Sequence, residues 1–91
     1  MQTDGARILV VEDDSAVRDA LERALSFEGY TIETATDGAV ALSSLRDQPT
    51  DLVVLDVMMP HVDGIETCRR IRASGDTVPI LMLTAKTAVG D

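Results

Sequence analysis

A sequence of 91 residues has room for a single domain built around one core. Its 45% apolar and 26% charged composition is that of a folded globular chain and excludes global disorder; with Phe27 and Tyr30 as the only aromatic residues, the core must be aliphatic. Eight basic against sixteen acidic residues leave a net charge of −8, which argues against a nucleic acid or an anionic membrane as direct partner and favours a cation.

The polar start "MQTDGAR" lacks the basic opening and apolar stretch of a signal peptide, and no run approaches about 18 apolar residues, so a soluble cytoplasmic protein is expected. "RILVVE" (7–12) is the first strand. A helix from Ser15 to about Glu28 follows, with Val17, Leu21, Ala24, Leu25 and Glu28 on one largely apolar face and Gly29 to end it. "TIETA" (31–35) is a weaker strand, and the segment Gly38 to Asp47 is a helix with Ala41, Leu42 and Leu45 inward, stopping before Pro49. "DLVVLD" (51–56) is the third strand. A third helix begins after Asp63-Gly64 and presents Ile65, Cys68 and Ile71 at spacing three; "PILMLT" (79–84) is the fourth strand. Three of the four runs are continuously apolar, as in strands covered on both faces. Strand and helix alternate, which predicts an α/β fold with an open parallel sheet and right-handed crossovers. Cys68 has no partner for an internal disulfide and reads as a small core residue, and no Cys/His cluster has zinc spacing.

In such sheets ligands bind beyond the carboxyl ends of the strands, at the switch in strand order. Those ends carry Glu12-Asp13-Asp14, Asp56 and Thr84. Carboxylates crowded together stay ionised only if a cation neutralises them, and a cluster without His or Cys favours Mg²⁺ or Mn²⁺ over zinc. Asp56 is a candidate nucleophile toward phosphorus; Thr84 offers a hydroxyl and Ala85 a backbone N–H to phosphoryl oxygens. The Met58 carbonyl, two residues beyond Asp56, is close enough to reach a metal. Asp14 has two readings, helix N-cap or metal ligand. His61, with no partner of its own type, is read as a solvated loop residue.

"ILVVEDD", "VVLDVMMPHVDG" and "PILMLTAK", in this order and spacing, resemble the receiver domain of bacterial two-component response regulators from about Arg7 to Asp91. The resemblance implies a flavodoxin-like, doubly wound sheet of strand order 2-1-3-4 and a role in phosphorelay signalling. Asp56 matches the phosphoacceptor, served by a sensor histidine kinase. Glu12 and Asp13 match the Mg²⁺-binding acidic pair, the Met58 carbonyl a backbone metal ligand, Thr84 the switch hydroxyl, and Pro60 and Gly64 the loop that shapes the pocket. It further implies a regulatory, transcriptional output through a DNA-binding domain elsewhere in the gene product, with self-hydrolysis but no independent turnover.

The family's pattern continues into a fifth strand ending in a Lys and a last helix, whereas Lys86 lies two positions beyond Thr84 and does not match that Lys. Residues 1–91 are therefore expected to be a C-terminally incomplete receiver domain, with "ILML" on an edge covered either by the remainder of the domain or by a partner chain through edge pairing or exchange. Three rivals compete. A Mg²⁺-dependent phosphohydrolase with an Asp nucleophile needs a general acid two residues on, where Met58 stands. A phosphate-independent pseudo-receiver would usually have an eroded acidic pocket. A flavin module wants a Ser/Thr/Gly-rich loop after the first strand, where "EDDSAV" stands.

Overall fold

A computed structural model describes residues 5–57 and 64–83. Each apolar run becomes a strand and each segment of helical period a helix, in the order β1 (Arg7–Val11), α1 (Ser15–Phe27), β2 (Thr31–Ala35), α2 (Gly38–Asp47), β3 (Leu52–Asp56), α3 (Gly64–Ala73) and β4 (Ile80–Leu83). The strands form one parallel sheet of order β2-β1-β3-β4, the expected doubly wound arrangement.

Because side chains alternate across a strand, each central strand feeds two cores at once. Leu9, Val11, Val53 and Leu55 point to the side where Ala41 of α2 and Ile71 of α3 pack, joined by Ala35 and Val78. Ile8, Val10 and Val54 point to the other side, where Leu21 and Leu25 of α1 meet Tyr30, Ile32, Leu52 and Leu83. β1 and β3 are thus sealed on both faces, which explains their unbroken apolar sequences. β2 and β4 flank them, and on β4 Leu81 and Met82 remain exposed.

Local chemistry sets the helix ends. The Asp14 carboxylate accepts the N–H groups of Ala16 and Val17 at 2.9 and 3.1 Å, and Asp37 accepts that of Val40 at 2.9 Å, satisfying donors that the first turns of α1 and α2 leave open. α1 ends where Gly29 takes a φ of 102°, a conformation costly for residues with a Cβ.

Two helix faces differ from their expected form. On α1, Leu21 and Leu25 pack inward, but Val17 and Ala24 lie exposed and no residue of the helix is fully buried. The helix rests on the sheet by a narrow stripe, and Val17 and Ala24 sit on its flank. On α3 the buried stripe is Gly64, Thr67 and Ile71, with Cys68 half-buried beside it and Ile65 exposed. Spacing of 3, 4 and 7 follows the helical turn, whereas three residues at strict spacing three drift off the contact line.

Burial predicts unequal sensitivities. Leu55→Ala should cost about 3 kcal/mol in urea denaturation through the cavity it leaves in a fully buried position. Phe27→Ser, at a side chain 86% exposed, should stay within about 0.5 kcal/mol of wild type.

Candidate functional site

The site lies where β1 and β3 end side by side. Their register pairs Val11 with Leu55, so the next residues, Glu12 and Asp56, emerge together at the carboxyl edge of the sheet. This is also where strand order reverses, β1 having β2 on one side and β3 on the other. Among the described residues, Glu12, Asp13 and Asp56 each bring a carboxylate oxygen to within 4.8 Å of the others. A hard divalent cation takes several oxygen ligands at short range, and an all-carboxylate donor set fits Mg²⁺ or Mn²⁺ by both charge and hardness.

The three carboxylates are held differently. Asp13 is exposed and Asp56 half-buried, while Glu12 is only 6% exposed. The Glu12 N–H donates to the Ala35 carbonyl of β2 at 3.0 Å, and its Oε2 accepts the Asp14 N–H at 3.0 Å. Burial pushes the Glu12 carboxyl up from 4.5 to about 7, the negative charge of Asp56 and hydrogen bonds with the Asp56 and Asp13 side chains add to the rise, and the Asp14 N–H opposes it. Near neutral pH, then, Glu12 stands between its protonated and charged forms, and a nearby cation would favour the charged one.

Asp14 belongs to the helix and not to the cluster: its Oδ1 is committed to the first turn of α1. Of the two sequence readings, the N-cap is the one the geometry selects.

Gly64 has a role beyond starting α3. A Cβ at this position would overlap the Asp56 carbonyl oxygen and approach the Val57 Cα to 2.6 Å, and the Gly64 N–H donates to the Val57 carbonyl at 3.2 Å. The N-terminus of α3 therefore presses directly on the backbone that carries Asp56. The sequence singled out this glycine as part of a cap and loop, but not the closeness of that approach.

The remaining predicted site residues, Met58, Thr84 and Ala85, lie outside the described residues, as do Pro60 and His61. One participant was not foreseen. Arg18 of α1 donates from Nη1 to the backbone carbonyls of Glu12 and Asp13, at 3.0 and 3.4 Å. Its signal in the sequence is a cation in the opening turns of a helix, where the dipole disfavours it.

The family model described as the response regulator receiver domain matches residues 8–91. The response regulator MprA of Mycobacterium ulcerans (strain Agy99) is 55% identical over 85 residues, covering 93% of this chain and 37% of that protein, so the chain spans little more than a third of the curated relatives it matches. Among solved structures, the chemotaxis protein CheY4 of Vibrio cholerae superposes with a TM-score of 0.86 at 35% identity, covering 91% of this chain and 71% of that chain. The response regulator TrrA of Thermotoga maritima, solved in complex with Mg²⁺ and BeF, superposes with a TM-score of 0.84 at 40% identity, covering 90% of this chain and 71% of that chain.

Two outcomes follow from this geometry. Gly64→Ala should destabilise the fold by about 2 kcal/mol or more in urea denaturation, because the new methyl meets backbone and not a side chain able to move aside. For Glu12 the folded pKa lies above the unfolded one, so its favourable contribution is complete below about pH 4.5 and is lost as pH rises through about 7. In metal-free buffer Glu12→Gln should therefore raise the thermal midpoint at pH 8 and leave it unchanged at pH 4. Equal effects at both pH values would show that burial does not govern this group.

Proposed function

The chain belongs to the response regulator receiver domain family, and from that premise we propose that it relays a signal by accepting a phosphoryl group on Asp56. The observation that carries this reading is the gathering of Glu12, Asp13 and Asp56 within 4.8 Å at the switch in strand order. Asp56 acts as the nucleophile: its carboxylate oxygen attacks the phosphorus of a phosphohistidine on a sensor histidine kinase. The P–N bond breaks as the P–O bond forms, and the released imidazole takes up a proton. Water later attacks the acyl phosphate and resets the switch, so the domain turns over its own modification and no separate substrate.

Glu12, Asp13 and Asp56 would hold Mg²⁺ or Mn²⁺, with the Met58 carbonyl as a further ligand. When bound, that cation supplies the positive charge that lets an anionic phosphoryl group approach three carboxylates. The TrrA structure with Mg²⁺ and BeF supports this, beryllium fluoride being a tetrahedral stand-in for a phosphoryl group. Asp13, the exposed member, is the ligand open to a cation arriving from solvent. Glu12, buried and anchored through its amide and carboxylate, fixes the depth of the site. The Thr84 hydroxyl and the Ala85 N–H are assigned to the phosphoryl oxygens, Thr84 as the residue that senses them.

Membership in the receiver domain family suits a sensor kinase as partner, a cytoplasmic setting and a transcriptional output through a DNA-binding domain elsewhere in the gene product. The net charge of −8 suits no direct nucleic-acid contact by this domain. The exposed Leu81 and Met82 on β4 suit pairing with a second copy. No helix among the described residues is long and apolar enough to cross a membrane.

The test is incubation with acetyl phosphate and Mg²⁺ followed by intact-mass measurement. One phosphoryl mass should be gained, and none should be gained when the metal is chelated beforehand or in Asp56→Ala. A gain that persists in Asp56→Ala would place the chemistry elsewhere.

A further inference from the structure

Arg18 is in an unfavourable place unless something compensates it. It is the fourth residue of α1, near the end of the helix where the backbone dipole is positive, and the first turn of α1 contains no acidic side chain to balance it. Side chains on a helix lean toward its N-terminus, so Arg18 reaches back over the turn that precedes the helix. There its guanidinium meets the carbonyl oxygens of Glu12 and Asp13, and the side chain is half-buried between exposed neighbours Val17 and Asp19.

We propose that Arg18 is a positioning residue for the cation site, holding the two peptide groups that aim the Glu12 and Asp13 carboxylates toward Asp56. The inference rests on the reading of that cluster as a cation site. With Arg18 in place, Glu12 is fixed at three points: its amide by Ala35 of β2, its carbonyl by Arg18 of α1, and its carboxylate by the Asp14 N–H. Asp13, whose side chain is exposed, has the Arg18 contact to fix its carbonyl. A guanidinium suits this task, since one planar group with several N–H donors spans two successive carbonyls while remaining charged at any physiological pH.

Position and charge act on cation binding with opposite signs, which makes the idea testable. As a bare positive charge beside the cluster, Arg18 repels a dication, and its removal would tighten binding. As a clamp on the loop, its removal frees the ligands to spread, and binding weakens. Supporting residues behind metal ligands typically change affinity by about tenfold or more.

The experiment titrates Mg²⁺ calorimetrically into wild type, Arg18→Met, Arg18→Lys and Arg23→Met. Arg23→Met removes the same charge from an exposed position of the same helix. Arg18→Met should weaken Mg²⁺ about tenfold, Arg18→Lys less, and Arg23→Met less than about twofold. In metal-free buffer, hydrogen exchange of the Asp14 N–H should quicken in Arg18→Met while exchange at the buried Leu55 follows global stability. Mg²⁺ affinity that is unchanged or tighter in Arg18→Met overturns the proposal, as does Asp14 exchange that changes only in step with Leu55. Wild type that binds no Mg²⁺ would instead overturn the functional reading. The two failures are distinct, because the metal-free exchange comparison then decides whether Arg18 holds the loop.

Discussion

Everything at this site depends on the parallel pairing of β1 with β3, which delivers three carboxylates to one edge of the sheet. Two unit charges about 4 Å apart repel by about 4 kcal/mol at an effective dielectric of 20, a sizeable share of the roughly 5–15 kcal/mol that holds a domain folded. The register of Val11 against Leu55 is set by the cores on either side and not by the acids. A slip of one residue would turn Leu9, Val11, Val53 and Leu55 away from their helices. Hydrophobic burial thus forces the carboxylates together, and the Glu12 carboxyl, buried and beside Asp56, is pushed up to about 7.

Around that constraint the neighbouring elements divide the work. α1 takes Asp14 for its own first turn, which removes one carboxylate from the cluster and fixes where the helix begins. From the same helix Arg18 returns to the loop and grips the Glu12 and Asp13 carbonyls. α3 approaches from the other strand, its Gly64 seated against the Asp56–Val57 backbone where no side chain would fit. The site is therefore braced by the starts of two helices on opposite faces of the sheet.

The order and limits of the elements were legible because strand alternation, helical period and terminators such as Gly29 and Pro49 act over a few residues. The reading of Asp56 beside Glu12 and Asp13 also succeeded, since the rule for open parallel sheets needs only the strand ends and their order. The inward faces of α1 and α3 were less legible. Val17, Ala24 and Ile65 have the right character for a buried stripe, yet each lies to the side of the line along which its helix meets the sheet. Thr67, a polar residue with no apolar pattern to mark it, is fully buried.

The sequence by itself determined the fold class and the division into strands and helices, because each follows from residue type and short-range spacing. Tertiary structure alone decided which carboxylate is buried and holds its proton at higher pH, that Asp14 serves the helix and not the cluster, that Gly64 lies under Asp56, and that Arg18 reaches the acidic loop. Those outcomes depend on helix rotation and on distances between segments far apart in the chain. Burial and Coulomb energy are functions of such distances, and no local pattern encodes them.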